Sequence, residues 1–404
     1  MEIKNNINFN NFFFYYLVLI CFSSIFFMSK TYQLNVNNSM AEWLINYQGG
    51  FGRRGLLGEL FTQLSLIFDY PVRKIILYFL YVIFISYYLL IYLFFRNIKT
   101  NYIIIISLLS PLFILSPLAE LEALGRKDLL IPLFFLIYCN LYSKTNFFSL
   151  SLVLLFCFPI LLLTHEVSIF YLPFFYLLLT FKIEKLTIYK IITLIFIALI
   201  FFFIIYILSN SAHSPEAIKI MCERMKNILN DKCGMGAYVL NRSLKHNIAE
   251  LGGLNSIHLI RNFFIFILGY SALIILIQSS KFNKLKNNIL NKLFNLKILI
   301  FLTFLPTLIP FTIAVDWGRW FNLSYTMLIL FYLFCLKNKI IELSEKNTVI
   351  DYIENKILIN KKFFIILTLI ICFSWNPKAV YHEDIGSIPI YRVITKVINY
   401  HLYR

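Results

Sequence analysis

Long apolar runs, each closed by a few polar residues, dominate the pattern along the chain. A helix crossing the hydrocarbon core of a bilayer needs about 20 apolar residues, with a range of about 17–25. By that measure spans are predicted near 11–29, 75–95, 102–118, 129–143, 147–163, 167–181, 191–208, 259–279, 298–315, 320–336 and 363–376. The run from Phe147 to Phe181 cannot be one helix. At 1.5 Å per residue it would measure about 52 Å, against a core of about 30 Å. Its polar break is Thr164-His165-Glu166, which predicts a very tight hairpin tip there. Asp316-Trp317-Gly318-Arg319-Trp320 splits a second run in the same way. Only helices and closed barrels satisfy their backbone polar groups in lipid, and these runs lack the alternation of barrel strands. The expected fold is an all-α polytopic membrane protein with about 11 transmembrane helices (10–12), a single membrane domain over 1–404.

Composition agrees: 60% of residues are hydrophobic, 14% are charged, and the mean hydropathy is +0.76. A soluble chain has roughly 45–50% apolar and about 25% charged residues, so a soluble globular protein is excluded. The net charge of +17 does not indicate a nucleic-acid partner. Lysine is first the residue that keeps loops cytoplasmic, and no zinc finger, heptad or aromatic-basic module accompanies it. Placing Met1 inside puts Lys4, Arg96, Lys99, Lys144 and the lysines of 182–190, 281–297 and 337–362 in the cytoplasm. The short loops opposite carry fewer basic residues, Arg53, Arg54, Arg126, Lys127 and Arg319 among them. The prediction is N-terminus inside and C-terminus outside, with 30–74 the first external loop and 209–258 a long one. The tail, 377–404, reads as an amphipathic segment lying on the outer membrane surface. The first span is not followed by small cleavage-site residues and is read as a retained helix.

All arginines but Arg96 fall on the predicted external side, in a chain whose default cation is lysine. Arginine suits a site where a planar fork must grip phosphate or carboxylate. In the first external loop Gly49, Gly50, Gly52, Gly55 and Gly58 surround Arg53 and Arg54. Such glycines can turn backbone N–H groups into an anion-binding nest, and a helix starting near Arg54 would add its positive end. The plain alternative is a flexible turn whose arginines snorkel to lipid headgroups. The second external loop, Glu120 to Asp128, offers Arg126 and Lys127 as further cationic contacts, or is a solvated turn with local ion pairs. His165-Glu166 has no room for a solvated loop. Glu166 is a candidate general base, its pKa expected to rise through desolvation, with His165 as helper; the alternative is an interfacial capping pair. Asp316 is a second candidate base, with Arg319 on phosphate and Trp317 and Trp320 on sugar rings, or Asp316 and Arg319 form a plain salt bridge. Cys222 and Cys233 share the long external loop and could close a short disulfide, or stay as two thiols. No metal-ligand spacing occurs, so no metal and no cofactor are expected.

This architecture resembles the bacterial envelope-polysaccharide membrane enzymes: the Wzy-type repeat-unit polymerases and the wider GT-C-type glycosyltransferases. The similarity covers the whole chain as architecture and rests, at motif level, on Gly49 to Gly58, Arg126-Lys127-Asp128 and Asp316 to Trp320. It implies a GT-C-like helical bundle with periplasmic loops in the bacterial inner membrane. It also implies a polyprenyl-diphosphate-linked oligosaccharide as donor, a glycan hydroxyl as acceptor, external arginines on the diphosphate, and a chain-length regulator or other polysaccharide-assembly proteins as partners. The chain departs from the GT-C pattern in having only the lone Glu42 after the first span, without an acidic pair. A transporter or flippase of lipid-linked oligosaccharide and a membrane acyltransferase are the alternatives. The first would spread polar residues along the spans, whereas here they crowd at the outer ends.

Overall fold

The computed structural model describes residues 6–33, 38–96, 98–120, 122–211, 214–229, 231, 233, 236–237, 240–242, 244–254, 256–282, 296–343, 361–378, 394 and 398. Most of the tail predicted at 377–404 lies outside them, as do the middles of the two lysine-rich loops.

In chain order the helices are α1 Asn6–Thr31, α2 Asn38–Trp43, α3 Leu56–Phe68, α4 Val72–Phe95, α5 Tyr102–Leu108, α6 Ser116–Ala119, α7 Leu130–Tyr142 and α8 Phe147–Thr164. After a 3-10 stretch, Glu166–Tyr171, come α9 Leu172–Phe181, α10 Ile188–Asn210, α11 Pro215–Leu229, α12 Leu244–Gly252, α13 Ser256–Gln278 and α14 Leu296–Phe304. A second 3-10 stretch, Leu305–Thr312, precedes α15 Trp317–Lys337 and α16 Lys361–Phe373. Among the described residues six helices are long and apolar enough to cross a membrane: those within α1, α4, α8, α10, α13 and α15. The chain is an all-α, multi-pass membrane protein. One short ladder, Ser280–Phe282 against Ile341–Leu343, runs antiparallel with Lys281 opposite Glu342.

The chain divides into two compact units. The first comprises residues 1–20, 95–123 and 250–404. Its core is α15, buried almost continuously from Gly318 to Cys335. The segment predicted as one span at 102–118 is broken in this unit. α5 stops at Leu108, Pro111 cannot continue a helix, and α6 restarts only at Ser116. Breaks at membrane depth persist only where the freed carbonyls find donors. Asn322 Nδ2 donates to Leu112 O (2.8 Å) and Phe113 O (2.7 Å), and the Tyr325 hydroxyl donates to Ser107 O (2.8 Å).

The second unit comprises residues 21–94 and 124–249. The predicted fold-back lies here: α8 ends at Thr164 and the chain returns through the 3-10 stretch into α9. The Asn146 side chain accepts from Ser149 N (2.8 Å) and caps the start of α8. The stack is aromatic: Phe175 of α9 packs on Phe134 and Phe135 of α7 and on Phe158 of α8, which meets Phe201 of α10 at 5.0 Å. α7 and α8 form an antiparallel pair joined by a four-residue turn at 143–146, so the residues before α7 and those after α8 meet at one end.

Candidate functional site

That end of the second unit gathers three of the predicted segments. Each of the four residues 125–128 makes a specific contact. Gly125, at φ 70°, presents its carbonyl to Trp43 Nε1 (2.6 Å). Arg126 Nη1 meets Glu42 Oε1 at 3.3 Å in a nearly dry pair. Lys127 Nζ donates to the Arg54 carbonyl (2.6 Å) below the Trp43 ring. Asp128 Oδ1 lies 2.6 Å from His165 Nε2. Arg54 then closes the circuit, its Nε and Nη2 reaching both oxygens of Glu166 at 2.7–2.9 Å. His165 Nδ1 lies 3.9 Å from Glu166 Oε2.

Two expectations change here. Burial alone would raise the Glu166 carboxyl, but the Arg54 charge and the paired hydrogen bonds of its guanidinium outweigh it. They hold Glu166 well below the ordinary carboxylate range, so it is a fixed anion and not a base poised by desolvation. Lys127 is 99% enclosed (1% exposed), with its ammonium on a backbone carbonyl, so it supports Arg54 from beneath. Burial lowers its pKa to about 7, against the opposing pull of Glu42.

The glycine cluster is also explained by packing. A Cβ on Gly58 would overlap the Ile45 carbonyl, one on Gly55 the Tyr47 ring, and one on Gly49 the Ala217 carbonyl of α11. Gly50, at φ 119°, makes the turn. These glycines admit neighbouring chain, and three of them are needed without any anion. α3 starts at Leu56, as predicted, directly after the Arg53-Arg54 pair. Arg54 itself sits at φ 67°, a left-handed conformation uncommon outside glycine, and its carbonyl accepts from Lys127 Nζ.

Arg53 is the most exposed of these cations. Its side chain retains 28% of its accessible surface, against 18% for Arg54 and 7% for Arg126. Its Nη2 donates to Leu240 O (2.9 Å) and its Nη1 lies 3.9 Å from Glu166 Oε1. Cys222 and Cys233 are joined as a disulfide. Between them Asp231 receives Arg73 Nε on both oxygens at 2.8 Å.

The first unit holds the remaining predicted residues. Arg319 Nη1 lies 3.3 Å from Asp316 Oδ2, and the guanidinium stacks 4.6 Å from the Trp320 ring. Trp317 contacts His258 (ring centroids 5.7 Å) and Phe311 (5.9 Å). His258 Nδ1 is 2.6 Å from Arg261 Nη2, both side chains being buried. Asp316 and Trp317 thus stand at the head of α15, with Trp317 against His258 of α13.

Four residues were given neither role nor partner in the sequence reading: Asp128, Glu42, His258 and Arg261. Asp128 was within reach of it, because two short consecutive spans must bring their outer ends together. Among the described residues no group of three His, Cys, Asp or Glu is placed to hold a metal ion. No family model matches the chain, and no curated protein or solved structure is similar to it.

Proposed function

We propose that the chain is a membrane glycosyltransferase of the polysaccharide-polymerase type. It transfers a sugar or oligosaccharide from a polyprenyl-diphosphate-linked donor to a glycan hydroxyl on the periplasmic face of the bacterial inner membrane. In this reading the shorter apolar helices are further crossings, giving about eleven spans with the N-terminus inside.

The observation that carries it is the buried Asp128–His165 pair, 2.6 Å apart, beside the Arg53-Arg54 pair. Asp128 accepts from Nε2–H and thereby fixes the tautomer with the lone pair on Nδ1. Nδ1 takes the proton of the acceptor hydroxyl as its oxygen bonds to the anomeric carbon. The bond from that carbon to the diphosphate oxygen breaks, and the leaving diphosphate carries the electron pair toward Arg53. Glu166 keeps Arg54 in place and supports the imidazolium that forms, 3.9 Å from Nδ1. His165 replaces Glu166 as the base, and Asp128 is its positioning residue. Arg319, Trp317 and Trp320 remain candidates for contact with the saccharide.

The dyad also favours a second reading, acyl transfer to a hydroxyl, which needs the same proton removal. Membranes incubated with labelled lipid-linked oligosaccharide, and separately with a labelled acyl donor, distinguish the two. Asp128→Asn and His165→Gln should each abolish polymer while the chain remains in the membrane at its usual level. Normal polymer from either variant overturns the assignment, and label transfer from the acyl donor alone replaces it with the second reading.

A further inference from the structure

Arg53 differs from the other cations of the cluster in what it holds. Arg54 and Arg126 each hold a carboxylate within 3.3 Å, whereas Arg53 is 3.9 Å from its nearest one, Glu166, and its Nη2 donates to the main-chain carbonyls of Leu240 (2.9 Å) and Arg242 (3.5 Å). A carboxylate or phosphate adds the attraction of an opposite charge that a neutral carbonyl lacks, so the guanidinium resting on carbonyls is the one that exchanges for a phosphate. Arg53 is also the most exposed of these side chains, and its Nε is buried without a hydrogen-bond partner among the described residues. A buried donor left unsatisfied is unfavourable, which an incoming acceptor relieves.

The partner that Arg53 would release is anchored elsewhere. Asp231, on the same stretch of chain, is gripped by Arg73, whose Nη1 also donates to Tyr32 O (3.1 Å). The Cys222–Cys233 disulfide ties that turn back to α11, and Asp231 N donates to Met225 O (3.2 Å). A Cβ on Gly236 would come within 3.1 Å of the Ala41–Glu42 backbone, and Ala237 and Leu240 are buried. Asp231 is therefore held by Arg73, Gly236 stands beside the Ala41–Glu42 backbone, and the carbonyls of Leu240 and Arg242 meet Arg53.

We propose that Arg53 is an exchangeable latch, trading the Leu240 and Arg242 carbonyls for the oxygens of a lipid-borne diphosphate, while the Arg73–Asp231 pair is the fixed post from which the released residues move. The choice of a lipid-borne ligand rests on the donor proposed above; the exchange itself does not. Arg73 and Asp231 are positioning residues, since they touch neither the reacting atoms nor the anion.

Leu240 is 1% exposed, so a thiol placed there reports its release. Full-length Leu240→Cys protein in nanodiscs would be titrated with a water-soluble maleimide, with the parent chain as control for its own cysteines. Inorganic pyrophosphate should accelerate labelling at least tenfold. Arg53→Gln should label fast without it and show no further response. Farnesyl diphosphate should act at a tenfold lower concentration than pyrophosphate; equal potency would make the ligand a soluble diphosphate and overturn the lipid-borne part. An unchanged rate with pyrophosphate, or an equal acceleration in Arg53→Gln, overturns the latch. For the post, Asp231→Asn should raise KM for the lipid-linked donor about tenfold with kcat within about twofold, and Asp231→Glu should restore it; a loss confined to kcat overturns that role. The two proposals fail separately. Sugar transfer by a chain whose thiol ignores pyrophosphate sinks the latch alone, and a responsive thiol in a chain that transfers nothing sinks the transferase alone.

Discussion

At the scale of single residues, the cluster turns on how each charge is compensated. Lys127 shows this best, because its ammonium faces a carbonyl and an indole ring while Glu42 and Glu166 act on it from farther away. Its pKa falls from the ordinary 10.5 to about 7 on folding. Between those values the unfolded chain binds the extra proton, so stability must rise with pH across that window, and the penalty of burying the charge is fully present below it. The melting temperature of the purified protein should therefore climb from about pH 7 to about pH 9, and Lys127→Met should flatten the climb. A flat wild-type profile over this range would show that the ammonium stays charged throughout. Glu166 has the opposite sign: its folded pKa is depressed, so the stability it contributes is present above its ordinary value of 4.5 and is lost as pH falls below that. Breaking its pair has a separate consequence. Arg54→Ala leaves Glu166 without its fork and should destabilise by about 2 kcal/mol, less than the 3–5 of a fully buried pair because both side chains keep some water contact. Thermal unfolding of Arg54→Ala beside Arg54→Ala/Glu166→Ala measures this. The double variant should be the more stable of the two, since it leaves no orphaned carboxylate.

Among the elements, glycine positions separate packing from binding. Gly49→Ala and Gly58→Ala should each lower stability by about 1–3 kcal/mol, because the new methyl meets backbone that has nowhere to move. Gly252→Ala, at the end of α12 with nothing within 4 Å, should change stability little. An anion nest would give a different result: a raised KM for the donor with an unchanged melting temperature at Gly58. The six long helices, the fold-back at Thr164 and the start of α3 were legible in the sequence, since each follows from run length or a single polar break. The true role of the glycines was not, because the partner that excludes a Cβ at Gly49 is Ala217, far along the chain. The break after Leu108 was hidden for a related reason. The apolar run continues through Pro111, and what makes an interruption tolerable is an amide on another helix, Asn322. For the ion cluster, residue types were readable and pairings were not: Arg54 could be seen, but Glu166 as its partner could not.

For the whole molecule, the contacts within the second unit constrain membrane topology without any appeal to loop charge. Glu42, Arg53-Arg54, Arg126 to Asp128, His165-Glu166 and Leu240 bond to one another, so the segments carrying them lie on a single side of the membrane. The turn at 143–146 lies at the opposite end of the α7–α8 hairpin. The disulfide adds the compartment. Bonds of this kind persist in the bacterial periplasm and at the cell surface and are rare in the cytosol, which supports the proposed placement of Cys222 and Cys233 on the outer face. Cysteines introduced at exposed Asn241 and Asn227 should react with an impermeant maleimide on intact spheroplasts, whereas one at exposed Ser143 should react only after permeabilisation. Labelling of 241 and 143 from the same side would contradict the α7–α8 hairpin. Labelling of 143 alone would keep the fold and turn the ion cluster toward the cytoplasm, where a periplasmic glycan acceptor could not reach His165.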